Sequence, residues 1–124
     1  MQRFSEKYIT TKEMEWEVLG GGASRKFLGY DNQIMMVKVK FDKGALGAPH
    51  QHFHTQATYC LSGKFEFVID GITKIVEAGD GVYIEQNLLH STVCIEEGML
   101  IDTFSPVRED FLSGGAVSYF VGDK

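Results

Sequence analysis

Three of the chain's four histidines stand at alternate positions, His50, His52 and His54, and Gln56 continues the same parity. On an extended strand, residues two apart point to the same face roughly 6.6 Å from one another, so the spacing predicts one face lined with imidazole. A lone histidine so placed reads as a solvated residue on a polar edge strand. Several packed side by side in a small domain cost desolvation unless something accepts their lone pairs, and a divalent transition metal does so. A carboxylate is the second candidate. Asp102 in MLIDTF shares the parity of Leu100 and Phe104, so a regular strand places it on an apolar face. There it is either a buried acid satisfied by backbone donors or Arg108, or a proton shuttle lining a cavity. Arg108, just past Pro106, is either a solvated surface residue or a bidentate clamp for a carboxylate. Phe104 is either an apolar wall for a ligand or plain core.

Strands must position these groups. Period-2 patterning recurs from residue 34 onward: Val37, Val39 and Phe41 alternate with Lys38 and Lys40, and Phe65, Phe67 and Ile69 alternate with Glu66, Val68 and Asp70. Asp70-Gly71 predicts a tight hairpin, with ITKIVEA as the returning strand. AGDG at 78–81 marks another turn, VYIE a short strand, and MLIDTF a late strand that Pro106 ends. No segment between 34 and 106 has helical periodicity. Many short strands separated by turns predict an all-β sandwich or barrel. KEMEWEVL reads as a helical turn or an edge strand, GGGASRKFLGYD as loop then strand, and SGGAVSYFVGDK as a tail that packs loosely or caps the barrel.

The 124 residues suit one domain with one core, divided into an N-terminal arm and edge strand (1–33), a barrel core (34–106) and a tail (107–124). A net charge of −5 with scattered Lys and Arg argues against a nucleic-acid partner. No apolar run reaches the roughly 20 residues of a membrane span, and the N-terminus lacks the plan of a signal peptide, so a cytoplasmic protein is expected. Cys60 and Cys94, far apart and without CxxC spacing, are expected to be reduced and structural.

The spacing Gly44-x5-His50-x-His52-x3-Gln56-x6-Gly63 resembles the first motif of the cupins, with Gln56 where Glu is usual. Gly79-Asp80-Gly81 through His90 resembles the second. The resemblance implies a small single-domain β-barrel, the double-stranded β-helix or jelly roll, with His50, His52, Gln56 and His90 converging on one divalent metal (Zn, Ni, Fe or Mn). His54 is then an extra imidazole in a supporting role. Glu85, Asn87, Leu89 and Cys94 depart from the family pattern, so the loop before His90 lacks its usual rigid residues. With three imidazoles and an amide, the metal's charge is uncompensated by protein, which favours an anionic ligand.

From about Trp16 to Leu112 the chain is further similar to the pectin-degradation cupin family, the unsaturated pyranuronate lyases. The family's Asp-x-Phe-x-Pro-x-Arg run is matched by Asp102, Phe104, Pro106 and Arg108. The resemblance implies a lyase or isomerase that opens 4,5-unsaturated uronates from pectin or alginate breakdown to linear keto sugars, with a small anionic sugar as substrate. Asp102, Arg108 and Phe104 are then the catalytic residues, and a homodimer is expected. The alternatives are a cupin dioxygenase or other metal-dependent cupin enzyme, and a non-enzymatic sugar-binding cupin.

Overall fold

The computed structural model describes residues 4–112 and 120–121. Its strands are β1 (Glu17–Gly20), β2 (Ala23–Tyr30), β3 (Met35–Phe41), β4 (Leu46–His50), β5 (Thr55–Ile69), β6 (Ile72–Glu77), β7 (Gly81–Ile84), β8 (His90–Ser105) and β9 (Phe120–Val121). A 3-10 turn, Thr11–Glu13, precedes them, and a single helical turn, α1 (Glu109–Leu112), follows β8. The all-β expectation holds, and no helix among the described residues is long and apolar enough to cross a membrane.

The spine of the barrel is the antiparallel pair β5 and β8. One edge of β8 runs along β5, while its other edge pairs with β4 near His90 and with β3 beyond Gly98. The outer edge of β5 pairs in the same split way with β7 and then β6. Each long strand therefore serves two sheet faces, and the bend between them falls where the β5–β8 register slips, around Ser62 and Gly63. Glycine is required there. A Cβ on Gly98 would collide with the Ser62 carbonyl, and one on Gly63 would lie 2.6 Å from the Glu97 carbonyl.

Alternation sorts the side chains as the sequence predicts. Val37, Val39, Phe41, Phe65 and Phe67 are buried in the core while Lys38 and Lys40 are not. Asp70 and Gly71 both adopt positive φ at the hairpin tip, and β8 ends before Pro106. Cys60 and Cys94 are free and buried, and burial pushes the Cys94 thiol up to about 11, so both are unreactive packing residues.

One expectation needs correction. The histidines do not sit on one strand: His50 closes β4, residues 51–54 turn, and Gln56 belongs to β5. The region before residue 34 supplies β1 at the end of KEMEWEVL and β2 in GGGASRKFLGYD, as expected, and β2 runs beside β3 with Ala23 and Arg25 buried. Residues 107–112 contribute a helical turn that buries Val107, Arg108 and Phe111. The tail expectation falls mostly outside the described residues; Phe120–Val121 pairs with the β4 edge at Leu46 and Gly47.

Candidate metal centre

The β4–β8 pairing sets His50 directly opposite His90, and the turn after β4 swings His52 onto the same point. The ligand-capable atoms of His50, His52 and His90 all lie within 4.8 Å of one another, a spread that small side-chain rotations can close around one ion. The turn is braced by the loop before His90. Asn87 takes φ 62, which asparagine tolerates, and its N–H donates to the His52 carbonyl at 2.8 Å.

Backbone carbonyls fix the imidazole tautomers. Nδ1 of His50 meets the Ala48 carbonyl at 2.8 Å, Nδ1 of His90 the Leu88 carbonyl at 2.8 Å, and Nδ1 of His52 the His54 carbonyl at 3.0 Å. A carbonyl only accepts, so each Nδ1 carries the proton and each Nε2 presents a lone pair. Gln56 is oriented in turn. Its Nε2 donates to Thr58 Oγ1 at 2.9 Å, leaving the acceptor Oε1 3.1 Å from the His52 Nε2. Two lone pairs facing at that distance repel unless a cation lies between them, so the donor set fits a divalent metal. Burial holds His50 and His52 down to about 4, helped by the positive charge of Arg108. Burial also lowers His90. All three rings are neutral at physiological pH, as ligation demands.

His54 stays out of the cluster. Its ring is 6% exposed, stacks on Phe53 at 4.0 Å and meets the edge of His52 at 5.6 Å. Neither ring nitrogen makes a hydrogen bond of ordinary geometry, although the Val107 backbone lies close. Its contribution is the carbonyl that orients His52.

His50, Gln56, His90, Asp102, Phe104 and Arg108 line one narrow cavity of about 50 Å³. Asp102 accepts from Thr58 Oγ1 at 2.6 Å and from Gln56 Nε2 at 3.4 Å. A relay therefore runs from the Gln56 amide through the Thr58 hydroxyl to the carboxylate. Burial raises Asp102 to about 6, against the Thr58 hydrogen bond and the Arg108 charge.

Arg108 is not a solvated surface residue. It is 4% exposed and packs over Phe104 at 5.0 Å and Phe111 at 4.2 Å. Its Nε and Nη2 hold Asp110 at 3.0 and 2.8 Å, and this pairing keeps Asp110 below its ordinary value despite burial. The Nε–Nη2 edge is thus engaged by a neighbouring side chain. Phe104 walls the cavity and meets His52 edge to face at 5.9 Å.

Sequence reasoning missed Thr58, Arg25 and Thr92. Thr58 continues the inward parity of Gln56, and Arg25 stands between Ala23 and Phe27 on the inward parity of β2. The periodicity carried both, since a polar residue at an inward position is the informative exception.

The fold is a β-barrel of the cupin type with a histidine cluster that could hold a metal, and the cupin domain family profile matches residues 37–103. The chain belongs to the cupin family. It is 46% identical over 108 residues to the pectin degradation protein KdgF of Dickeya dadantii, a match covering 86% of this chain and 98% of that protein. A crystal structure of an RmlC-like cupin from Shewanella frigidimarina superposes with a TM-score of 0.85 at 44% identity, over 87% of this chain and 97% of the other. The structure of KdgF from Halomonas sp. does so with a TM-score of 0.83 at 34% identity, over 86% and 99%.

Proposed function

We propose that the chain acts in pectin degradation, as a metal-dependent enzyme converting 4,5-unsaturated uronates to linear keto sugars. One observation carries the reading: a carboxyl group tied through Thr58 to Gln56 opens on the same cavity as the histidine cluster. The similarity to two KdgF proteins supplies the pathway.

The substrate is a cyclic enol ether with a hemiacetal carbon. Opening it needs a proton removed from the anomeric hydroxyl as the C1–O5 bond breaks, and a proton delivered to C4 as the enol becomes a ketone. Atoms balance within the substrate, so one group that takes and returns a proton suffices and no oxidant enters. Asp102 is that group, with Thr58 Oγ1 holding the carboxylate in place. His50, His52, Gln56 and His90 would hold a divalent metal, which when bound supplies Lewis-acid polarisation of a substrate oxygen. Burial, reinforced by the charge of Arg108, keeps the imidazoles neutral, and Arg108 draws the substrate anion toward the cavity. Phe104 excludes water from one wall.

The test is proton NMR of an unsaturated monouronate with the metal-loaded protein. The vinyl signal should disappear far faster than in buffer, with no oxygen consumed. A vinyl signal that persists at the buffer rate overturns the reading, and oxygen uptake would move it to dioxygenase chemistry.

A further inference from the structure

Arg25 lines the cavity from β2 and has no role in the site described above. It is 1% exposed, the largest fully buried side chain among the described residues, and it lines the same cavity as His50, Gln56 and Asp102. Its outer edge is engaged: Nε donates to Glu17 Oε1 at 2.9 Å, and Nη2 donates to Glu17 Oε2 at 3.3 Å and to the Phe111 carbonyl at 3.4 Å. The guanidinium is also held flat, its carbon 5.1 Å from the Phe27 ring centre and 4.4 Å from that of Phe111. Nη1 alone is left, buried and without a partner. On the cavity wall formed by β8, Thr92 Oγ1 is likewise buried and unpartnered.

A buried donor on a permanently charged group is costly to leave unmatched. In a fold that otherwise satisfies its polar relay down to Thr58, two such atoms on one cavity mark the place of an absent acceptor. Arg108 already donates through Nε and Nη2 to Asp110. The metal-ligand set is uncharged, so it competes with no anion.

We propose that Arg25, through Nη1 and together with Thr92 Oγ1 on the lining of the same cavity, is the binding site for the carboxylate of the uronate. The Arg25–Glu17 pair sets its strength. Glu17 is 47% exposed and offsets the guanidinium charge from outside the cavity, so weakening Glu17 strengthens the site. Arg25 is thereby a specificity residue: it favours uronates over neutral sugars, and the ring is left beside Asp102 and the histidines. The inference rests on the uronate reading above, and its test separates the two.

Metal-loaded wild type, Arg25→Lys, Glu17→Gln and Thr92→Val are compared in two assays. Turnover is measured on an unsaturated monouronate and on its methyl ester. Calorimetry follows saturated galacturonate, which has no double bond to lose, and galactose. Arg25→Lys should raise KM for the acid about tenfold or more while kcat stays within about threefold, and the preference for acid over ester should fall by a similar factor. Metal content per chain should not change. Glu17→Gln should tighten galacturonate and leave galactose alone; Thr92→Val should weaken galacturonate. An unchanged acid-over-ester preference in Arg25→Lys overturns the proposal, and so does a Glu17→Gln protein that binds galacturonate no better than wild type. If Arg25→Lys does not fold, the Glu17 and Thr92 variants decide alone. Loss of turnover with Arg25-dependent galacturonate binding intact would remove the uronate reaction and keep the site.

Discussion

Replacing Asp102 by Asn should make the metal-free protein more stable and the enzyme nearly inactive. Asn keeps the side-chain shape and an oxygen able to accept from Thr58 Oγ1, which approaches at 2.6 Å, and from Gln56 Nε2 at 3.4 Å. It removes the titrating proton. The folded protein raises Asp102 from 3.8 to about 6, chiefly by burial, so between those values the folded state binds the proton more tightly than the unfolded chain. The stability from this group is fully present below pH 4 and is lost as pH rises through 6. At 1.36 kcal/mol per unit the loss is about 3 kcal/mol, less whatever the new amide N–H group fails to find as a partner. Denaturant unfolding of metal-free wild type and Asp102→Asn should therefore give curves that separate as pH rises from 4 to 7, with the variant more stable at 7. Vinyl-proton NMR should show turnover reduced by about 10² to 10⁴, with metal content retained. Near-wild-type turnover would refute the proton-transfer role. Equal stability of the two proteins at pH 7 would refute the burial argument.

A His52→Ala, His90→Ala double variant should lose most of the roughly one divalent ion per chain expected in wild type; equal metal by elemental analysis sinks the ligand assignment. Arg108→Lys keeps the charge but not the planar contact with Phe104 and Phe111, so KM should rise more than kcat falls; an unchanged KM would confine Arg108 to holding α1. Because His50 and His52 are lowered to about 4, folding favours their neutral forms. That contribution is present above the ordinary imidazole value near 6.5 and is lost as pH falls toward 4. Metal occupancy at limiting ion should accordingly have its midpoint below 6.5, and a midpoint at or above that value would show the rings to be solvated.

Much of this was legible in the alternation of residues. Val37, Val39 and Phe41, the Asp70-Gly71 tip and the end of β8 at Pro106 all follow from patterns local to a few residues. So does Asp102, whose parity with Leu100 and Phe104 put it on the inward face where the structure has it. The histidine stretch misled because alternation was read through a turn. Prolonging the Gln56 parity backward gives one strand, whereas the chain leaves β4 at His50 and re-enters the sheet at Thr55, and the ligand cluster forms because it bends. The burial of Arg108 was not legible for the opposite reason: Phe111 and Phe104, which pack against it, come together only when α1 folds back, a contact with no period to announce it. The full lengths of β5 and β8 were also hidden, since a strand that changes partners at Gly63 and Gly98 reads as two short ones.

Gln56 joins the metal site to the carboxylate, and its amide does two things that a carboxylate could not do together. Oε1 presents a lone pair beside His52, while Nε2 donates to Thr58 and toward Asp102. A Glu at this position would supply a charged metal ligand, but it would remove a donor from the Asp102 relay and set a second anion near it. Both changes push the Asp102 carboxyl further above its present value of about 6. A base that stays protonated at neutral pH cannot take the anomeric proton. Gln56→Glu should therefore hold metal more tightly yet turn over more slowly at neutral pH, with the acid limb of its kcat/KM profile moved upward by about one unit or more. Raising the pH should restore part of the rate, which a merely misfolded variant would not do. An acid limb at the wild-type position, with metal bound as tightly or more so, would show that Gln56 and Asp102 are not coupled and would leave the relay through Thr58 without a catalytic role.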